Sequence, residues 1–227
     1  MNLEKMKYQP VRDAETRILK CASLIGNHSK FLDIGCGDGK LAENFAHRAG
    51  FSQIYGIDND KECIRQAEKR GINAKYIDAT EKLPFEDNFF DAVLCSQVVE
   101  HLDNVDILLE EIQRVLKPGG KLMISVPNLC SLHNRIFMLF GYQPTVISPS
   151  SRFSFGNPVQ KGEKLEKSVG HRHNKAFAPK AFREMLKYYG FDIKYYYGAG
   201  IYFLPKFILK LSPELGVNQI ALAEKHV

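Results

Sequence analysis

Three glycines spaced G-x-G-x-G, Gly35, Gly37 and Gly39, follow the apolar run Phe31-Leu32-Asp33-Ile34 and precede a helical pattern beginning at Leu41. This is the mark of a strand that enters a tight turn and then a helix N-terminus. Backbone there carries no Cβ and lets a ligand approach closely. A second short run, 52–58, ends on Asp58, about twenty residues after the last glycine; at that distance a carboxylate accepts both hydroxyls of a ribose. A third run, 74–78, ends on Asp78, and a fourth, 89–95, leads into Ser96 and Gln97. In an open parallel sheet such strand ends converge on one crevice, so these residues should share a site with Asp33.

The turn is acidic, with Asp33 before it and Asp38 inside it. Phosphate would be repelled there, whereas a cationic or zwitterionic ligand would be drawn in. The dinucleotide fingerprint G-x-G-x-x-G is also broken, because the third glycine comes one residue early, and no G-x-x-x-x-G-K-[ST] occurs. The pattern therefore asks for an adenosine ligand without a pyrophosphate. His101, in V-V-E-H-L just past the fourth strand, is a candidate base, as are His171 and His173 in G-H-R-H-N. Glu100 and these histidines could also make a metal site, but no tight spacing such as H-E-x-x-H supports it, and no metal is expected.

The elements that must position these residues follow from periodicity. Residues 1–10 read as a loose lead-in, and 11–25 as an amphipathic helix. Strands over 30–35, 52–58 and 74–78 alternate with helices over 39–48 and 61–70, the latter capped by Asp60. A strand over 89–95, a helix over 105–116 and a strand over 121–126 follow, with Lys117-Pro118-Gly119-Gly120 turning one into the next. Repeated β-α units with short loops give a parallel sheet covered on both faces. After Pro127 the rhythm breaks. Residues 128–176 hold a short amphipathic piece, 129–140, and a long loop, 141–170, which reads as an insertion that closes over a substrate. The domain, 1–127 and 177–227, resumes with a helix over 179–189, a strand over 191–197, an aromatic helix over 202–211 and a last strand over 218–224.

Composition removes several classes. A net charge of +5, with no dense Lys/Arg block before residue 161, gives no reason for a nucleic-acid partner. Five cysteines with no C-x-x-C pair argue against a disulfide framework or a zinc knuckle and for a reducing, cytoplasmic setting. The start MNLEKMKYQP is charged where a signal peptide is apolar, and no stretch approaches the ~20 apolar residues of a membrane span. Arg135, Arg152, Lys161, Lys164, Lys167 and Arg172 make the insertion basic and suit an anionic substrate, while Tyr195–Tyr197 and the 202–211 helix suit a lipid-like one.

Taken together, FLDIGCGDGKL, YGIDND, YIDATEKLPFEDNFFDAVLCSQVVEHL and LKPGGKLMISVPN resemble successive motifs of the class I S-adenosylmethionine-dependent methyltransferases, in the methyltransferase domain 11 branch that acts on small molecules. The likeness is close over 28–127 and looser over 171–225. It implies a Rossmann-like α/β fold, a seven-stranded mostly parallel sheet in the order 3-2-1-4-5-7-6 with the last strand antiparallel. It implies S-adenosylmethionine as cofactor: Gly35, Gly37 and Gly39 under its methionine part, Asp33 on its ammonium, Asp58 on the ribose with Asn59 beside the adenine, Asp78 on the adenine amino group, Ala79 lining the ring pocket, and Ser96 and Gln97 flanking the sulfonium. Transfer would be an in-line displacement with His101 or His171 as base, the acceptor being a sugar, quinone, lipid or carboxylate, with oxygen favoured. Two alternatives stand beside it. Pro127, Asn128, Asn134 and Arg135 look similar to the methionine-biosynthesis accessory proteins, which would act with a partner. A nicotinamide-dependent oxidoreductase could use the same scaffold.

Overall fold

Phe31, Leu32 and Ile34 are buried, as is the whole run Ala92-Val93-Leu94-Cys95, which is what parallel strands with helices on both faces require. The computed structural model describes residues 3–26, 29–150, 152–158, 173–201, 205 and 207–226. In it β1 (Lys30–Ile34), β2 (Gln53–Asp58), β3 (Asn73–Tyr76), β4 (Phe90–Ser96), β5 (Leu116–Pro127), β6 (Phe191–Ala199) and β7 (Asn218–Lys225) form one seven-stranded sheet in the order β3-β2-β1-β4-β5-β7-β6. The first five strands run parallel, and β7 is antiparallel to both β5 and β6. Order and direction are those the family resemblance implies.

Period-2 alternation splits the core between the two faces. Leu32, Ile34, Val93, Cys95, Leu122 and Ile124 pack with α4 (Val105–Val115) and α6 (Pro179–Tyr188). Phe31, Ala92, Leu94 and Met123 pack on the other side with α1 (Leu3–Cys21), α2 (Lys40–Ala49) and α3 (Lys61–Lys69). The caps follow the sequence. Asp60 accepts from the backbone N–H groups of Glu62 and Cys63 at the start of α3, and Asn104 accepts from Asp106 at the start of α4. The loop after β3 is pinned by Arg114, whose guanidinium donates to the carbonyls of Leu83 and Phe85 and to Glu111 and Asp87. That loop seats Phe85 edge-on against Tyr55 and Phe90.

Four expectations need correction. The loose lead-in is part of α1, which runs from Leu3 and ends in a 3-10 turn, Ala22–Leu24. β3 stops at Tyr76, so Asp78 lies in the turn beyond it. Lys117-Pro118-Gly119-Gly120 does not end a helix and start a strand; it is a bulge inside β5, where pairing jumps from Phe90↔Leu116 to Ala92↔Lys121. Of the aromatic helix over 202–211 only a single turn, α7 (Ile208–Leu211), is present among the described residues, and Tyr202, Phe203, Leu204 and Lys206 lie outside them.

Candidate functional site

The register brings the strand ends level. Ile34 pairs with both Ile57 and Cys95, Asp58 with Tyr76, and Ser96 with Ser125. Strand order reverses between β1 and β4, and the crevice opens beyond their carboxyl ends. The glycine turn is folded back on β2: the N–H groups of Gly35 and Cys36 both donate to the Ile57 carbonyl, at 2.8 and 3.0 Å. Asp58 holds the turn from the side. Its Oδ2 accepts from the Gly37 N–H at 2.9 Å and its Oδ1 from the Asp60 N–H at 2.9 Å.

All three glycines have positive φ, but they serve different ends. A Cβ on Gly35 would stand 2.5 Å from Val98 Cγ2, and one on Gly39 would stand 2.5 Å from Ile72 Cδ1 and 3.1 Å from the Ala67 backbone. These two glycines permit close packing of the turn on its neighbours. A Cβ on Gly37 would meet nothing within 4 Å, so this is the member of the motif that faces open space. Asp33, in β1 just before the turn, is 2% exposed. Burial, and then the charge of Asp58, holds its carboxyl well above the usual range. A buried acid beside a second acid, which holds the N–H of a glycine that faces open space, fits an ammonium- and sulfonium-bearing nucleoside and does not fit a phosphate.

The other expected contacts lie around the same rim. Asn59 and Asp78 are exposed, and Asp78 Oδ1 is held by the Thr80 N–H at 2.9 Å and the Thr80 hydroxyl at 2.8 Å. Ala79 is half-buried against the α4 side of the core. Ser96 Oγ lies 2.9 Å from Ser125 Oγ, and Gln97 donates to Ser125 twice, from its N–H to the carbonyl at 2.9 Å and from Nε2 to Oγ at 3.1 Å. These bonds hold Gln97 at φ 58, a left-handed conformation that costs a glutamine about 1 kcal/mol or more. The sequence reading misses Ser125. Its only signal is a hydroxyl in the apolar run Leu122–Val126.

Past Gln97 the chain makes a 3-10 turn, Val99–His101. Here the returning end of the insertion is clamped on. The N–H groups of Asn174 and Lys175 donate to the Glu100 carbonyl at 2.7 and 3.0 Å, and Asn174 Nδ2 donates to the His101 carbonyl at 2.8 Å. The His101 and His173 rings come to 5.1 Å between centroids. The Glu100 carboxylate is 1% exposed, and burial pushes its carboxyl up to about 8. His171 lies outside the described residues, as do Lys161, Lys164, Lys167 and Arg172, while Arg135 and Arg152 are exposed.

The insertion is rooted at the same edge. Asn128 Nδ2 donates to the carbonyls of Glu214 and Gly216, and Asn134, in α5 (Leu132–Leu139), bonds Asn128 and Thr145. The asparagines of the P-N-x-x-x-x-x-N-R stretch are thus engaged in scaffolding. Beside them His133 is buried, with Nδ1 3.2 Å from the Ser131 hydroxyl and Nε2 3.0 Å from that of Thr145. Burial lowers its pKa from 6.5 to about 4. Below the ordinary value the unfolded chain takes up a proton that the folded chain refuses, so stability falls as pH drops from 6.5 towards 4. The expected loss is up to about 3 kcal/mol. In urea titrations, the stability advantage of the native chain over His133→Gln should shrink across that window; a pH-independent difference rules this out.

Comparison with known proteins agrees with this geometry. Residues 32–124 match the methyltransferase domain family. The chain is 32% identical over 171 residues to the uncharacterized protein MJ1123 of Methanocaldococcus jannaschii, covering 74% of this chain and 77% of that one. It is 34% identical over 146 residues to the mitochondrial ubiquinone biosynthesis O-methyltransferase of Rattus norvegicus, covering 60% of this chain but only 41% of that enzyme. In three dimensions it superposes on a SAM-dependent methyltransferase from Archaeoglobus fulgidus with a TM-score of 0.60 at 21% identity, over 98% of this chain and 97% of the other.

Proposed function

Because the chain belongs to the class I S-adenosylmethionine-dependent methyltransferases, whose cofactor is S-adenosylmethionine, we propose that it moves a methyl group to an oxygen of a small, lipid-like acceptor bearing a phenol-type hydroxyl. The family membership removes the nicotinamide-dependent alternative. The observation that carries the reading is the buried Asp33 beside Asp58, which holds the N–H of the open Gly37, an acidic cradle for a cationic nucleoside.

When bound, the cofactor supplies a methyl group already activated on a sulfonium. The chain's own work is to hold and orient. Asp33 takes the ammonium, Asp58 the ribose hydroxyls, and Asn59, Asp78 and Ala79 the adenine. Gly35 and Gly39 keep the turn packed on Val98 and Ile72, so that Gly37 presents backbone to the methionine part. Ser96 and Gln97, fixed through Ser125, flank the reacting end. His101, half-buried at the mouth, takes the acceptor's proton, with His171 as its companion on the insertion.

Support for a lipid-like acceptor comes from the root of the insertion. Leu139, Phe140, Tyr142 and Phe155 are 80%, 71%, 45% and 54% exposed, and a bond from the Gln143 N–H to the Gly156 carbonyl holds their two segments together. So much apolar surface on two joined segments supports a binding surface. The rat relative is named for O-methylation in ubiquinone biosynthesis. No helix among the described residues is long and apolar enough to cross a membrane. The test is transfer from radiolabelled S-adenosylmethionine to a panel of catechols, quinols, sugars and carboxylic acids. Label should appear as an aryl methyl ether; label only on nitrogen or carbon overturns the oxygen reading, and label on sugar or carboxylate oxygen but not on phenols overturns the phenol-type acceptor.

A further inference from the structure

We propose that Glu100, His101 and His173 bind one divalent transition-metal ion at the mouth of the crevice. One carboxylate oxygen and one nitrogen from each histidine all lie within 4.8 Å of one another, and His101 Nε2 stands 3.9 Å from Glu100 Oε1. The Glu100 carboxylate is the telling member. It is 1% exposed, and among the described residues neither of its oxygens has a partner beyond its own backbone N–H. A buried acceptor pair left in that state is rare in folded chains and calls for a ligand. An ion bound by both histidines would satisfy it.

The remaining geometry is what a metal site needs. The cluster does not rest on one flexible loop, because the backbone clamp from Asn174 and Lys175 to Glu100 fixes the two segments together. Asn174 Nδ2 adds bonds to the His101 carbonyl and, at 3.0 Å, to Asp103 Oδ1. His173 Nδ1 lies 2.8 Å from the Val146 carbonyl. A carbonyl only accepts, so Nδ1 carries the proton and Nε2 the lone pair. A backbone carbonyl that orients a ligating imidazole in this way is a recurrent outer-shell arrangement in metal sites. Two imidazoles and one carboxylate suit zinc, cobalt, iron or manganese rather than calcium or magnesium, which favour oxygen ligands. Three protein ligands also leave a coordination position open.

The proposal goes beyond methyl transfer, and its test does not depend on it. If the acceptor is a hydroxyl compound, as proposed above, the open position would bind that oxygen and make its proton easier to remove, a task otherwise left to an imidazole. The sequence reading set metal aside for want of tight spacing. The third ligand comes from the returning end of the insertion, 72 residues after His101, so no tight local spacing joins it to the other two.

The experiment is titration of the full, chelator-treated chain with Co2+, followed by visible absorption and calorimetry, for the native chain, His173→Ala and Glu100→Gln, with circular dichroism to confirm folding. The native chain should take up one equivalent with ligand-field bands and no thiolate charge-transfer band. Each variant should bind at least tenfold more weakly, and Zn2+ should displace the cobalt. If Glu100→Gln does not fold, His173→Ala, altered at a half-buried position of the returning segment, decides alone. Lack of uptake by the native chain, a thiolate band that places the ion on a cysteine, or undiminished binding by folded His173→Ala overturns the proposal. Because no methyl transfer is measured, such a failure leaves the enzymatic reading untouched.

Discussion

Asp58→Ala is expected to weaken S-adenosylmethionine binding at least 100-fold, about 3 kcal/mol, in a calorimetric titration of the folded chain. Two losses add. The first is structural: the carboxylate accepts from the Gly37 and Asp60 N–H groups, so its removal leaves two backbone donors without their partner and loosens the turn that must present Gly37. The second is direct, since the ribose hydroxyls lose a charged acceptor, and hydrogen bonds to a charged group are worth about 1.5–3 kcal/mol. The nearby Asp38→Ala is the control. Asp38 is an exposed acid in the same turn, occupied with the Lys40 N–H and, at 3.6 Å, with Arg70, and its loss should change affinity less than threefold. If Asp58→Ala binds within threefold of the native chain, the ribose assignment is wrong. If Asp38→Ala falls as far, general acidity and not a specific acceptor attracts the cofactor.

The sheet and the strand ends that line its crevice were legible in the sequence because each depends on local pattern. Continuous apolar runs marked buried parallel strands. Asp60 marked a helix start, and Asp33 and Asp58 fell at the carboxyl ends of β1 and β2 because the motif places them there. Asp78 was read as a strand end, but β3 stops at Tyr76, because the apolar run continues past the last paired residue. What escaped depends on contacts distant in sequence. The bulge in β5 read as a turn because Pro118 and Gly119 break local pattern in either case, and only pairing with β4 distinguishes them. Ser125 is indistinguishable from any strand serine until β4 lies beside it. The left-handed Gln97 has no signal in its residue type, which disfavours that conformation; neighbouring hydrogen bonds impose it. Glu100, His101 and His173 were named as possible ligands, but that they meet depends on Asn174 returning to the turn after β4.

The three glycines read as one motif, yet the structure assigns them separate duties, and substitution should separate those duties. Gly39→Ala is expected to destabilise the fold by about 3 kcal/mol: roughly 1–2 for an L-residue held at φ 79 and a further 1–3, partly relaxed, for a methyl group driven against Ile72 and the Ala67 backbone. In a chain of this size that lowers the melting temperature by about 10 °C. Gly37→Ala carries the backbone cost alone, about 1 kcal/mol, because its methyl meets nothing in the folded chain. That methyl would instead stand in the space the methionine part of the cofactor needs. Affinity should therefore fall tenfold or more in a protein whose urea midpoint has barely moved. Ile72→Ala made together with Gly39→Ala should recover part of the lost packing, since it removes the nearest atom in the way, but should do nothing for Gly37→Ala. Equal destabilisation by the two glycine substitutions would mean that the turn is packed uniformly. Native-like cofactor binding by Gly37→Ala would mean that the ligand does not lie over this turn, and the acidic cradle would have to serve a different cation.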